Sequence, residues 1–165
     1  MDLERLYREH SVHLFRYLQR LSGDPELAAD AVQETFLRLA ERPPEDRALR
    51  AWLYRVGTNV VLDSGRTRRR RLRILAASPE CATLADPPLN PDAALDREER
   101  RRQVQTALAA LSARDRTVLL MRAEGFAHRE IAATIGVSTQ SVGSIVVRAM
   151  KKLAGSLGVE GHAEP

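Results

Sequence analysis

The stretch that most constrains the fold spans residues 128–152 and is typical of two short helices around a tight turn. Apolar residues recur at helical spacing in its first half, at Ile131 and Ile135. Gly136 follows where a helix would end, because glycine adopts a positive φ without a Cβ clash, and Ser138 can cap the next helix. This pattern predicts a helix-turn-helix, whose second helix enters the DNA major groove. An ordinary helical hairpin is the alternative.

The second helix of this pattern has an apolar side and a polar side. Val142, Val146, Ala149 and Leu153 form the apolar side. The other side shows Thr139, Gln140, Gly143, Ser144, Val147, Arg148, Lys151 and Lys152. Glycine inside a helix costs about 1 kcal/mol relative to alanine. The sequence therefore predicts a recognition helix with few charges and one weak position.

The positive charge of the chain is concentrated in one place. The net charge is only +4, but six arginines fall between Arg66 and Arg73. Such a cluster repels itself, so phosphate contact explains it better than a structural role does. Aromatic residues make up only 4% of the chain, which disfavours a protein that binds bases mainly by stacking them on rings.

Two helices are predicted before the first proline pair. The first covers residues 2–21 and the second runs from Pro25 to Glu41, with Asp24 as its cap. Asp30, Gln33, Glu34 and Leu37 form an outer stripe on the second helix. A solvated polar face is the usual meaning of such a stripe, and the residues alone favour it. A protein-docking face is the alternative.

A third helix is predicted to begin near Ala48 and to continue to Arg71, after Pro43 and Pro44 break the second. Its polar face carries Arg55, Asn59, Asp63, Arg66 and Arg70. The Asn59 amide could pair with a base edge or be satisfied by the neighbouring loop, and the residues favour neither.

A proline-containing stretch divides the chain into two helical modules. Pro79, Pro87, Pro88 and Pro91 exclude helix over most of it, and no strand alternation occurs anywhere in the chain. We therefore predict an all-α fold of two small helical modules joined by a flexible linker. The predicted divisions are residues 1–73, a linker at 74–94, a second module at 95–157 and a tail at 158–165.

Several kinds of site have no sequence support. The chain has no glycine-rich phosphate loop and no nucleophile paired with a base, so we expect no enzyme, no catalytic residues and no cofactor. His10, His13, His128 and His162 are scattered, so we expect no metal site. Cys81 is the single cysteine and is interpreted as an incidental thiol. Without a signal peptide or an apolar span, the chain is expected in the cytoplasm, with no membrane insertion.

Three motifs in this order resemble the extracytoplasmic-function (ECF) sigma factors, the smallest class of the sigma-70 family of bacterial transcription initiation factors. Residues 24–40 resemble region 2.2 of that family, and residues 50–71 resemble regions 2.3 and 2.4. Residues 111–142 resemble region 4. The resemblance implies a subunit that binds core RNA polymerase and directs initiation at promoters by recognising their −10 and −35 elements.

The resemblance also implies roles for individual positions. Asp30, Gln33, Glu34, Phe36 and Leu37 match the face that docks on the clamp coiled coil of the polymerase β′ subunit, which reverses the interpretation of the outer stripe. The −10 element would be opened and read by Arg50, Arg55, Asn59, Asp63, Arg66, Arg68, Arg69, Arg70 and Arg71. The loop from Pro43 to Leu49 would receive a flipped −10 base.

For the second module, the resemblance implies contact with the −35 element through Thr139, Gln140, Gly143, Ser144, Val147, Arg148 and Lys151. It further implies contact with the polymerase β flap, a linker in the RNA exit path and control by an anti-sigma factor. The chain departs from the family at Gly143, Ile145 and Val147, where basic, polar or aromatic residues are usual, and at Ala127, where a serine or threonine cap is usual.

Two other functions are open on the sequence alone. A free-standing LuxR-like helix-turn-helix regulator could use residues 1–73 for dimerisation or sensing, but it would need neither the outer stripe nor the arginine run. An RNA-processing enzyme could hold substrate on the basic helix, but the sequence offers it no catalytic constellation.

Overall fold

The computed structural model describes residues 2–44, 48–75 and 93–158, with side chains for 2–44, 48–65 and 96–158. Every regular element in these ranges is an α-helix, which confirms the predicted fold class. The helices are α1 (Leu3–Ser22), α2 (Pro25–Glu41), α3 (Leu49–Leu75), α4 (Ala93–Ala110), α5 (Ala113–Ala123), α6 (His128–Ile135) and α7 (Thr139–Ser156). We call α1–α3 the first module and α4–α7 the second.

Local signals fix the joint between α1 and α2. Gly23 ends α1 in the left-handed region at φ +73°, which glycine adopts without strain. A carboxylate oxygen of Asp24 then accepts bonds from the backbone N–H groups of Glu26 and Leu27 at 3.0 and 3.2 Å. These bonds satisfy amides that have no partner inside the helix. The predicted start of α2 is therefore confirmed.

The three helices of the first module meet where α3 carries Gly57. A Cβ atom there would lie 3.0 Å from Leu18 and 3.3 Å from the Thr35 hydroxyl, so a larger residue would require its neighbours to shift by a few tenths of an ångström. Beside it, the Tyr17 and Thr58 hydroxyls share a buried hydrogen bond of 2.8 Å that ties α1 to α3. Burial raises the pKa of the Tyr17 phenol far above its ordinary value. A buried hydrogen bond between two hydroxyl groups therefore joins α1 to α3 inside the apolar core of the first module.

The third helix is longer than predicted. It begins at Leu49 and its backbone stays helical through the arginine run to Leu75, whereas the sequence predicted an end at Arg71. Arginine has good helix propensity, and the first proline after the run is Pro79.

The second module is assembled around α5 and α7. The Ser112 hydroxyl caps α5 by accepting a bond from the Asp115 N–H at 3.1 Å. Gly136 ends α6 at φ +70°, and the Ser138 hydroxyl caps α7 by accepting from the Ser141 N–H at 3.3 Å. Both helices of the predicted helix-turn-helix are present, with their predicted stop and cap.

The two modules pack against each other and share one hydrophobic core. Phe126, which is 2% exposed, precedes α6 and lies against Tyr54 of α3 with ring centroids 4.8 Å apart. The guanidinium of Arg116 on α5 donates to the Leu21 carbonyl of α1 at 2.8 Å and to the Leu108 carbonyl of α4 at 2.7 Å. Apolar and polar contacts therefore both cross the boundary.

No single helix among the described residues is long and apolar enough to span a membrane, and α6 with α7 reaches that length and composition only as a pair bent by 88°.

We expect Gly57→Ala to destabilise the protein by about 1–3 kcal/mol, because the new methyl group would displace the fully buried Leu18 side chain. Gly65→Ala on the same helix is the matched control, since a Cβ there meets nothing within 4 Å. That change should stabilise the protein by up to about 1 kcal/mol through helix propensity. Urea unfolding of the two variants measures both effects. Equal shifts in the same direction would contradict the close approach at Gly57.

Candidate functional site

The predicted DNA-facing side of α7 lies on the surface. Thr139, Gln140, Ser144, Val147, Arg148 and Lys151 are exposed, and Gly143 is half-buried. The Val147 side chain is 54% exposed, although an apolar side chain gains nothing from contact with water. Ser144 donates its hydroxyl to the Ser141 carbonyl of the preceding turn at 2.9 Å, so its donor is already used within the helix.

One of the three departures from the family pattern on the recognition helix lies in the core. Ile145 is only 4% exposed and packs in the core with Val142 and Ala149. Ile145, where the family usually carries a basic or polar residue, is therefore part of the core in this chain. The face of α7 that packs inward takes residues three and four apart, and Ile145 follows Val142 by three.

A charged pair orients α7 on α5. The Lys152 ammonium donates to an Asp115 carboxylate oxygen at 2.6 Å, and Asp115 is 8% exposed. The hydrogen bond from Lys152 holds the pKa of the Asp115 carboxyl below its ordinary value. Lys152 is thereby engaged within the module, although its side chain is 60% exposed. Arg148 and Lys151 are exposed cations on the same part of the helix.

The turn before α6 has only half of a capping box. The Glu130 carboxylate accepts a bond from the Ala127 N–H at 2.8 Å. Ala127 has no side-chain oxygen to return a bond to the Glu130 N–H, as a serine or threonine would. The first helix of the helix-turn-helix therefore lacks the side-chain cap that a serine or threonine at the position of Ala127 would provide.

Most of the outer stripe of α2 is exposed at the surface. Asp30, Gln33 and Leu37 are exposed, and Leu37 reaches 61%. Glu34 is half-buried and accepts a bond from the Arg38 guanidinium at 2.7 Å. Phe36 is 5% exposed, so the structure places it under the stripe rather than in it, where its ring packs edge-on against Tyr7 at 4.8 Å.

The predicted −10 residues follow the length of α3. Arg55, Asn59 and Asp63 are exposed and recur every four residues, so they line one side of the helix. Among the described residues, none supplies a hydrogen-bond partner to the Asn59 amide. Arg66, Arg68, Arg69, Arg70 and Arg71 continue the helical backbone, but their side chains lie outside the described residues. The same is true of residues 45–47 in the predicted base-receiving loop.

Arg50 differs from the other predicted −10 residues because the second module engages it. Its guanidinium donates to the Glu124 carbonyl at 2.7 Å and approaches the Glu124 carboxylate at 3.6 Å. It also lies over the Phe126 ring, 4.3 Å from the centroid. Neither Glu124 nor Phe126 is recognisable from the sequence as a partner of Arg50. Arg50 and Glu124 are 74 positions apart, and no local pattern reports a contact at that separation.

The site has the chemistry of binding surfaces. Among the residues that the structure describes, no three His, Cys, Asp or Glu side chains come together as a metal site would need. What the structure presents instead is an acidic and apolar stripe on α2, a cationic and amide-bearing face on α3 and a sparsely charged face on α7. The last two suit a polyanion.

Comparison with known families accounts for both modules. The Sigma-70 region 2 family matches residues 6–71, and the Sigma-70, region 4 family matches residues 101–153. The chain is 34% identical to the ECF RNA polymerase sigma factor SigL of Mycobacterium tuberculosis over 95% of this chain and 91% of that protein. It is 32% identical to SigE of Mycolicibacterium smegmatis over 91% of this chain and 59% of SigE.

Solved structures show the same arrangement of helices. The sigma factor RpoE, crystallised with the anti-sigma factor NepR from Bartonella quintana, gives a TM-score of 0.76 at 24% identity, covering 97% of this chain and 99% of that one. CnrH, solved with the cytosolic domain of CnrY, gives 0.64 at 26% identity, covering 96% and 89%. The first of these likenesses concerns the fold alone.

Proposed function

Because this chain belongs to the ECF RNA polymerase sigma factors, we propose that it binds core polymerase, recognises −10 and −35 promoter elements and opens the DNA through binding alone. One observation carries the geometry of this proposal. Two DNA-suited helix faces, on α3 and on α7, occur on a single chain beside a separate protein-docking stripe on α2. A free regulator would need only one of the three surfaces.

The docking surface is proposed to be the outer stripe of α2. Asp30, Gln33 and Glu34 supply acidic and amide groups, and Leu37 supplies an exposed aliphatic side chain among them. An apolar anchor surrounded by polar groups is the usual composition of a specific interface. Phe36 supports the surface from below, since it is buried against Tyr7. The partner is the clamp coiled coil of the β′ subunit.

The face of α3 is proposed to bind the −10 element. Arg55 provides charge for the phosphates, Asn59 provides an amide that can read a base edge, and the arginines from Arg66 onward extend the cationic surface. Each flipped base costs a few kcal/mol, which contacts with polymerase and DNA can offset. Promoter opening of this kind requires no catalytic group, so we assign this chain no enzymatic activity.

The exposed side of α7 is proposed to bind the −35 element. Arg148 and Lys151 can contact phosphates, Gln140 can read adenine, and Val147 can contact a thymine methyl group. With so few charges, this surface contributes less binding energy than α3. The face of α7 then mainly determines the position at which the polymerase binds the promoter. The linker between the modules raises the effective concentration of each module at its own element.

Other features of the family are also proposed for this chain. The second module contacts the β flap of polymerase, and an anti-sigma protein controls availability. The chain acts in the cytoplasm, where polymerase and promoters are found.

Run-off transcription tests the function. Core polymerase with this chain should produce transcripts from a library of linear genomic fragments, and their start sites should share two motifs at a fixed spacing. Core polymerase alone is the control. If the chain binds duplex DNA tightly by itself and adds no transcript to core enzyme, the proposal fails and a LuxR-like regulator is the better account.

The docking stripe has its own test. Asp30→Lys combined with Gln33→Ala should weaken binding to core polymerase on the order of tenfold or more, because it removes two polar groups from the stripe and reverses one charge. Glu9→Lys, a charge reversal at an exposed position of α1, is the control and should bind as the wild type does. Fluorescence anisotropy with labelled protein measures both affinities. Unchanged affinity of the double variant would remove the assignment.

A further inference from the structure

The second turn of the exposed side of α7, which the structure describes in full, offers DNA no free side-chain donor. Gly143 stands there, where the family usually has a basic or polar residue. It lies four positions after Thr139 and four before Val147, so the three share one side of the helix. Ser144, the next residue, donates its hydroxyl to the Ser141 carbonyl at 2.9 Å. The face assigned to the −35 element therefore has a gap at Gly143.

A histidine from the neighbouring helix lies at this gap. His128 is the first residue of α6, the helix that precedes α7 in the helix-turn-helix. A Cβ atom on Gly143 would lie 3.9 Å from the Cε1 atom of the His128 ring, which is ordinary van der Waals contact. The imidazole of α6 therefore occupies space beside α7 that a long side chain at Gly143 would need.

The His128 ring is available to a ligand. Its side chain is exposed, and no residue in the described ranges forms a hydrogen bond or an ion pair with it. The Cε1 atom is bonded to both ring nitrogens, so both nitrogens lie close to the Gly143 position. An imidazole carries at least one N–H donor whether it is neutral or charged. The gap in the α7 face is thus accompanied by an unused donor.

The position of this donor suits the major groove. In a helix-turn-helix the second helix lies in the groove, and the first helix crosses the DNA backbone. A side chain of α6 that reaches α7 at Gly143 then enters the groove beside the second turn of α7. The base edges in the major groove present acceptors there, among them the purine N7 and the guanine O6.

We propose that the imidazole of His128 takes the place of the side chain that Gly143 lacks and donates a hydrogen bond to a base edge of the −35 element. The inference rests on the proposed assignment of the α7 face to that element. His128 then sets a preference for a purine N7 or a guanine O6 at one base pair, or at two adjacent ones, opposite the second turn of α7.

Transcription from a promoter library with a fixed −10 element and a randomised −35 element tests the inference. Each template carries its own transcribed barcode, so sequencing the transcripts made by core polymerase with the full chain gives the base preference at every −35 position. His128→Ala should lower the preference at one base pair, or at two adjacent ones, by about three- to tenfold, the effect of one hydrogen bond. The other positions should keep their preferences. His13→Ala, which removes an exposed histidine from α1, is the matched control and should keep the wild-type pattern.

A second substitution tests the role of the gap. Gly143→Arg would place a long side chain where the ring lies, so it should displace the imidazole and contact the bases itself. In that background, His128→Ala should change the preference by less than about twofold. The difference between the two backgrounds measures the coupling between the two positions.

Two results would overturn the inference. One is an unchanged −35 pattern in His128→Ala or a uniform loss of transcription across the library, because a phosphate contact or a structural role weakens all sequences alike. The other is an equal effect of His128→Ala with and without Gly143→Arg. A wild-type chain that shows no preference at any −35 position would overturn the proposed function of α7, and the inference with it.

Discussion

The structure depends on a row of three aromatic rings that crosses the boundary between the modules. Tyr17 of α1 packs on Tyr54 of α3, and Tyr54 packs on Phe126 before α6, each pair with centroids 4.8 Å apart. Aromatic pairs of this kind contribute about 0.5–1.5 kcal/mol each beyond the burial of their area. Arg50 and Glu124 close the row at its exposed end. Aromatic packing and an ionic contact therefore join the two modules.

The free energy available from polymerase binding is large enough to separate the two modules. Contacts between modules in one chain resemble transient interfaces and are expected to open. A nanomolar complex with polymerase would release roughly 12 kcal/mol, part of which can separate the modules. Moving a two-state equilibrium from one form to the other needs about 5.5 kcal/mol of differential binding. Separation of the two modules is therefore compatible with assembly on polymerase.

Local chemistry made the elements predictable. The Asp24 cap, the Gly23 and Gly136 stops and the Ser138 cap all act within a few residues, and the structure places each where the sequence indicated. The end of α3 was missed because arginines continue a helix as readily as they end one. Burial of Ile145 was not predicted, because it depends on how α7 packs on the neighbouring helices.

The candidate site was predictable only in part. Exposure of the α2 stripe and of the α7 face follows from helical periodicity, since polar residues recur on one side. Burial of Phe36 depends on where Tyr7 of another helix lies. The pairing of Arg50 with Glu124 depends on the packing of two modules that are separated by a linker in the sequence, so it becomes visible only in three dimensions.

The central claim is that the two modules, packed together in the free chain, separate to act on two promoter elements when polymerase binds. The distance between the modules, with and without polymerase, tests this claim most directly. Donor and acceptor dyes on cysteines introduced at Arg42 and Lys151, in a Cys81→Ser background, would report that distance by energy transfer. Both positions are exposed in the packed chain. The account predicts high transfer in the free chain and a marked loss of transfer when core polymerase is added. Equal transfer in the two states, with polymerase shown to be bound, would contradict it.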